Sequence, residues 1–368
     1  AAAFKYTLPT AEARRGRWMA AYLTRRLLQS VVVLLIVSFV CFVVFQYLGD
    51  PIRANFNPQE LDAQAAQALR ERLGLDAPFY VQYARWLGRA LQGDFGLSFR
   101  QRLPVLELIL KRAPATLELA TLALVLSTLL GVALGTWSAL RPRSWWAKGS
   151  MVASLLGIST PTFVVGLLLL LLFAVLPLGL RAWAPLDGLA WLPEALQGWH
   201  PLGWWPKFPT FGRGQTAELL GWQSGLVTAD GWRHLVLPTV TLGAFQVGVM
   251  ARLTRSGMFE ALSQDYVRTA WAKGLRPARV VTRHALRNVL IPVVTVLGLS
   301  YGELIAFSIV TESVFQWPGV GKLLLDAVFS ADQPMVVAYI FLAAGLILAL
   351  NLAVDLAYLA LNPKIRYD

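Results

Sequence analysis

The sequence predicts an all-α protein that crosses a membrane six times, and three observations carry this. Hydrophobic residues make up 56% of the 368 and charged residues only 15%, against about 45–50% and about 25% in an ordinary soluble domain. The apolar residues gather in long uncharged runs, among them Leu27–Gly49 (23 residues), Leu119–Leu140 (22) and Gly149–Leu180 (32); a helix needs about 20 such residues to cross the hydrocarbon layer. The basic excess, a net charge of +12, concentrates in short segments between alternate runs, as cytoplasmic loops do.

Residues 1–18 are Ala- and Arg-rich and read as a cytoplasmic tail ahead of a first span within 19–49. That run is too long for a signal-peptide core and no A-x-A site follows it, so it is expected to remain a helix. Residues 50–114 read as an extracytoplasmic helical subdomain. Within it PQELDAQAAQALRERLGL sets Leu61, Ala65, Leu69 and Leu73 four apart and ends at Gly74.

The remaining chain, 115–368, reads as a core of five further spans. The second span carries Gly131-x-x-x-Gly135, a face that lets helices approach closely. The third contains GISTPTFVVG, where Pro161 must kink or interrupt the helix. Residues 181–233 hold seven of the fourteen Trp and read as a cap on the outer leaflet or a protein-docking surface. The fourth run, Leu235–Ala251, is short and is extended by Trp232 and His234. The fifth, Asn288–Thr311, has Glu303 as its only charge, and the sixth, Met335–Leu361, carries Asp355, expected to pair with a basic loop residue. The outer loop between these last two is read as holding Glu312, Lys322, Asp326 and Asp332.

An even number of spans puts both termini on one side, expected to be the cytoplasm. The positive charge is then topology, and nucleic acid is not an expected partner. The lone Cys41 lies inside the first span, so no intrachain disulfide forms. No catalytic constellation is present: His200, His234 and His284 are dispersed and fit no metal-ligand spacing. The stretch PGVGKLL has Gln316 and Leu323 where a phosphate loop needs Gly and Ser or Thr. No catalytic residue, metal or cofactor is therefore expected in this chain.

A basic segment, 252–287, interrupts the apolar core. From Tyr266 to Pro292 it reads YVRTAWAKGLRPARVVTRHALRNVLIP, without one acid. Ala261–Lys273 lacks Gly and Pro and stops at Gly274, with Pro277 beyond, which is a helix-stop pattern. Arg276, Arg279, Arg283 and Arg287 fall at spacings of 3, 4 and 4, one helical face. Val280, Val281 and Leu290 are expected on the other. An interfacial helix touching lipid phosphates explains these arginines but not Tyr266–Gly274. A free cytoplasmic helix of about ten residues is marginal without something to pack against, so a partner is implied.

From about residue 19 the chain resembles the permease subunits of ABC importers for dipeptides, oligopeptides and nickel. The blocks that carry the resemblance are collinear. RRLLQS, GDP, RLGLDAPFYVQYARWL, GDFGLSF, TLELA and STPTF come first. TAWAKG with RHALRN, then TESVFQWPGVGKLL and NLAVDLAYLALNPKIRY, complete the series.

The resemblance implies the type I importer permease fold and a bacterial or archaeal cytoplasmic-membrane location. It also implies a second homologous permease as heterodimer partner, two ATPases that bind ATP and Mg, and an extracytoplasmic solute-binding protein. TAWAKG looks like the family's coupling helix, gripped by an ATPase. The matching residues are Asp265, Tyr266, Arg268, Thr269, Ala270, Lys273, Gly274 and Leu275, with Ala270 and Gly274 expected to let the ATPase surface come close. Glu303 and Phe307 depart from the family pattern, which favours small or uncharged residues there. Together with Pro161 they are candidates for the translocation path and gate. The alternative for Glu303 is a hydrated or arginine-paired place at the outer helix end.

The expected function is import of di- or oligopeptides, with nickel chelates or oligosaccharides as alternatives within the family. A secondary transporter predicts an inverted repeat and paired intramembrane charges, and neither is visible. A membrane receptor that transports nothing is the remaining alternative.

Overall fold

The computed structural model describes residues 11–47, 77–175, 208–219 and 221–361. The helix expected over 58–75, the first ten residues and positions 181–207 of the Trp-rich segment lie outside these. Among the described residues five helices are long and apolar enough to cross a membrane, six when one bent pair counts as a single span.

The chain divides into two units, 1–105 with 331–368 and 106–330. In the first, α1 (Ala11–Tyr47) and α10 (Gln333–Leu361) pack along each other, with α2 (Phe79–Leu91) against α1. An aromatic cluster binds them. Phe42 meets Phe79, Tyr83 and Trp86 with centroids 5.2, 5.5 and 6.0 Å away, and Phe341 meets Trp86 and Phe95 at 6.0 and 5.9 Å. These offset and edge-on contacts are the favoured aromatic geometries. Buried Asp332 accepts from the Ser98 hydroxyl and, at 3.1 Å, from the Phe99 N–H.

Two sequence expectations change here. The helix begins by Ala11, so the boundary at 18/19 falls inside α1. Asp355 pairs with Arg26 at 3.1 Å, and Arg26 lies within α1 instead of a loop.

The second unit is built around one helix. It contains α3 (Val105–Leu140), α4 (Trp145–Ser159) and α5 (Thr162–Leu170, prolonged by a π turn over Leu171–Val175). A short hairpin of β1 (Ala217–Leu219) and β2 (Trp222–Ser224) follows. Then come α6 (Ala229–Ser263), α7 (Asp265–Ala272), α8 (Pro277–Val314) and α9 (Val320–Phe329). Helix α6 packs against α4, α5 and α8 and is the most buried of the candidate spans. Glycines make this closeness possible. A Cβ on Gly248 would strike the Ser154 carbonyl of α4, and one on Gly257 would lie 2.9 Å from Val289 of α8. Gly131 and Gly135 of α3 press on the α6 backbone, as their spacing predicts.

Several boundaries move. Helix α3 runs through 114/115, and Pro114 is tolerated because buried Ala115, Thr116 and Leu119 hold that turn in the unit. Helix α6 extends to Ser263, so the basic connection between spans shrinks from 252–287 to the residues between α6 and α8. The expected Ala261–Lys273 helix is divided at Gln264, whose extended ψ of 150° ends α6 and begins α7. At Thr160–Pro161 the third span does more than kink: α4 and the helix after it meet at 110°. Proline cannot donate to the preceding turn, and its carbonyl instead starts a new helix by accepting from Val164 at 3.0 Å.

Glu312 is the largest departure. Read as an outer-loop charge, it lies in the last turn of α8 and is completely buried. Its carboxylate accepts from the Thr116 hydroxyl at 2.6 Å, the Ser308 hydroxyl at 3.0 Å and the Lys322 N–H at 2.8 Å. The chain after it folds back tightly, with Trp317 buried and donating from Nε1 to the Ala115 carbonyl at 3.0 Å.

Candidate coupling surface and translocation face

Helix α7 is short and held by its own chain. Val267 and Ala270, three residues apart, are buried among Ala139 of α3, Met250, Met258 and Ala261 of α6, and Val280, Ala285, Val289 and Val293 of α8. This corrects two expectations. The helix packs against its own chain, and Ala270 faces inward instead of standing open on the surface. Leu275 is half-buried against the same cluster.

The outward face comprises Asp265, Tyr266, Arg268, Thr269, Trp271 and Lys273, all exposed. Trp271, 46% exposed, was not singled out from the sequence. The eight-residue pattern with Val267 and Ala270 inward could have revealed it. Asp265 stands in the first turn, where a negative charge suits the helix dipole, and pairs loosely with Arg268 at 3.4 Å.

The stop signal is realised as read. Gly274 has φ +72°, its N–H donates to the Trp271 carbonyl at 2.9 Å, and the Leu275 N–H donates to the Ala270 carbonyl at 3.4 Å. These two bonds form a Schellman cap. Nothing lies within 4 Å of a Cβ added at Gly274. Gly274→Ala is therefore expected to cost only the left-handed strain, about 1–2 kcal/mol. Faster amide exchange confined to α7 and its cap, read by hydrogen–deuterium exchange, checks this; unchanged exchange contradicts it.

Beyond the cap, Pro277 occupies the first turn of α8, and Val280–Leu286 are wound as a π-helix. The wider turn sets the register. Buried Val280 and Ala285 are five apart, then Val289 and Val293 follow at fours. Arg276, Arg279, Arg283 and Arg287 all remain exposed. Of the three apolar residues expected on the face opposite these arginines, Val280 is buried, Val281 is half-buried and Leu290 is exposed.

Glu303 and Phe307 share one stripe of α8. Leu299, Glu303, Phe307 and Val310 recur at helical spacing and are exposed, Phe307 by 62%. Among the described residues no ion pair includes Glu303. The opposite side of α8 is packed: Ser300 accepts from buried Gln246 of α6 at 2.6 Å, and Leu304 and Ser308 are buried. Glu303 follows Arg287 by 16 residues, about 24 Å along a helix. If Arg287 marks one interface, the carboxylate falls inside a hydrocarbon layer about 30 Å thick. Pro161 sits apart, exposed at the corner between α4 and α5. Among the described residues no group of His, Cys, Asp and Glu could hold a metal ion.

Comparison with known proteins places this geometry in a family. Residues 131–367 match the model described as "Binding-protein-dependent transport system inner membrane component", and residues 19–120 match that of the corresponding N-terminal part. The chain is 40% identical over 350 residues to proteins named glutathione transport system permease protein GsiC. These come from Salmonella paratyphi A (strain ATCC 9150 / SARB42), Escherichia coli (strain K12) and Shigella dysenteriae serotype 1 (strain Sd197). Each alignment covers 95% of this chain and 100% of the relative. Membership implies ATPase and substrate-binding-protein partners. With family models matched along nearly its whole length and with apolar helices long enough to span a membrane, the chain belongs to the binding-protein-dependent transport family as a multi-pass inner-membrane permease subunit of an ABC importer, a transporter component and not an enzyme.

Proposed function

We propose that this chain is one half of a heteromeric permease that imports di- and oligopeptides, glutathione-like tripeptides among them. Two cytoplasmic ATPases bind the ATP and Mg, a solute-binding protein delivers substrate, and both termini face the cytoplasm. The observation that carries the reading is Glu303 with Phe307 on an uncovered stripe of a spanning helix. A carboxylate facing lipid at that depth is costly, so the stripe faces a second permease and a hydrated path. There a carboxylate attracts a cationic group, such as a peptide amino terminus, and Phe307 one turn on narrows the passage. Neutral sugars offer no such group.

Coupling follows from α7. Its inward residues share one apolar cluster with side chains from α3, α6 and α8. An ATPase that grips Tyr266, Arg268, Trp271 and Lys273 therefore moves three spanning helices together, which is what alternating access requires.

The test is transport by the reconstituted complex of two permeases, two ATPases and binding protein. Trp271→Ala is expected to abolish stimulation of ATP hydrolysis by loaded binding protein. Glu303→Gln is expected to slow uptake of peptides with a free amino terminus about tenfold, the worth of one hydrogen bond to a charged group. N-acetylated peptides are expected to be unaffected. Equal slowing of both would remove the role assigned to Glu303, and full stimulation in Trp271→Ala would remove that of α7.

A further inference from the structure

The turn between α3 and α4 serves neither the coupling surface nor the translocation stripe. Arg141, Arg143 and Lys148 are exposed there, and among the described residues no carboxylate pairs with them. Trp145 and Trp146 stand between them, 67% and 59% exposed, with ring centroids 3.7 Å apart. Ala147 is buried, so the inward side of this turn is already occupied. Along α4 the exposure continues with Val152, Leu155 and Leu156. No acidic residue occurs between Glu118 and Asp187.

Along the chain two arginines precede the indole pair and the aliphatic stripe follows it, with Lys148 between, its long stem able to carry the ammonium back to the level of the arginines. A lipid leaflet has the complementary order: phosphate, glycerol–carbonyl zone, acyl chain. Trp prefers the middle zone, and Lys and Arg reach the phosphates. A water-soluble partner does not match this order, because it would cover the cations and leave the aliphatic continuation bare. We infer that the Arg141–Leu156 stretch is a binding site for an anionic phospholipid, its phosphate held by Arg141, Arg143 and Lys148 and its acyl chains lying on Trp145, Trp146, Val152, Leu155 and Leu156. The indole pair sets the depth of the site, and the uncompensated cations make it selective for anionic over zwitterionic headgroups.

The experiment uses the complete transporter in nanodiscs. Ser144→Cys, in a Cys41→Ala background, carries a fluorophore at the turn. The discs hold either phosphatidylglycerol brominated on its acyl chains in plain phosphatidylcholine, or brominated phosphatidylcholine in plain phosphatidylglycerol, at equal bromine content. Quenching by the anionic lipid is expected to exceed that by the zwitterionic one at least about threefold, given the attraction of each basic residue for an anionic surface. The ratio is expected to fall to about one in Arg141→Gln/Arg143→Gln/Lys148→Gln. Equal quenching in the parent overturns the site, whether or not the triple variant assembles. So does a label that no lipid quenches, because the turn is then covered by protein. A preference that survives the triple variant in an assembled, ATP-hydrolysing complex also overturns it.

Discussion

Glu312→Ala is expected to remove so much stability that the permease no longer accumulates in the membrane. Three donors converge on this carboxylate: the Thr116 and Ser308 hydroxyls and the Lys322 N–H. All sit where the side chain is fully buried, out of reach of water. The Ser308 hydroxyl can turn fully to the Ile305 carbonyl at 2.8 Å, but the Thr116 hydroxyl and the Lys322 N–H lose their acceptor; at about 1–3 kcal/mol for each buried donor left unpaired, the loss is about 2–6 kcal/mol. That is a large share of the whole stability of an ordinary domain.

The neighbourhood gives little room to adjust. The carboxylate also abuts Gly319 and Gly321, where a Cβ would clash with it, and Val320 donates to the same Thr116 hydroxyl at 2.8 Å. Glu312→Gln keeps the shape but turns an N–H₂ toward one of the donors. It is expected to fall between parent and Ala. Membrane abundance of the tagged chain and the melting temperature of the purified complex are the measurements. A Glu312→Ala protein with parental abundance and melting temperature would show that the carboxylate does not tie α3, α8 and α9 together. Transport by the Gln variant, normalised to abundance, separates this structural role from any direct part in passage.

Much of the fold is legible in the sequence because crossing a membrane leaves a one-dimensional record. The run that starts at Leu27 lies in α1 as far as the described residues go, to Tyr47, and Leu119–Leu140 lies in α3. The Gly131/Gly135 contact and the positive φ of Gly274 follow from residue type alone. What was hidden depends on partners distant in sequence. Glu312 looks like an outer-loop charge until Thr116, 196 positions away, supplies its hydroxyl. Ala270 looks like an open surface residue until α6 and α8 close over it. The π winding of Val280–Leu286 has no composition signal, since its cause is the register forced by burying Val280, Ala285 and Val289 together. Glu303 and Phe307 stand out in the sequence as departures from the family pattern, but their exposure on one stripe follows only from the packing of the opposite side of α8.

Gly135→Leu is expected to separate α3 from α6. A Cβ at Gly135 already falls 2.7 Å from Thr254 Cβ and 3.0 Å from the Arg255 nitrogen, and it meets the Ala251 carbonyl as well. Two of these three atoms belong to the backbone of α6, so no rotamer change clears them. Even Gly135→Ala must push two spanning helices apart, at about 1–3 kcal/mol for an overpacked core position. Leu adds three more carbons in the same direction. The displacement reaches the coupling region too, because Ala139, one turn along α3, lines the cluster that holds Val267 and Ala270 of α7. Loss of stability and loss of ATPase stimulation are therefore expected together. Gly88→Ala, in α2 with nothing within 4 Å of the added carbon, is the contrast: it is expected to be neutral or to stabilise by about 0.5–1 kcal/mol through helix propensity. Thermal unfolding of the two purified variants decides the matter. Equal melting temperatures for Gly135→Ala and Gly88→Ala would mean that α3 and α6 are not in contact at this glycine in the assembled permease.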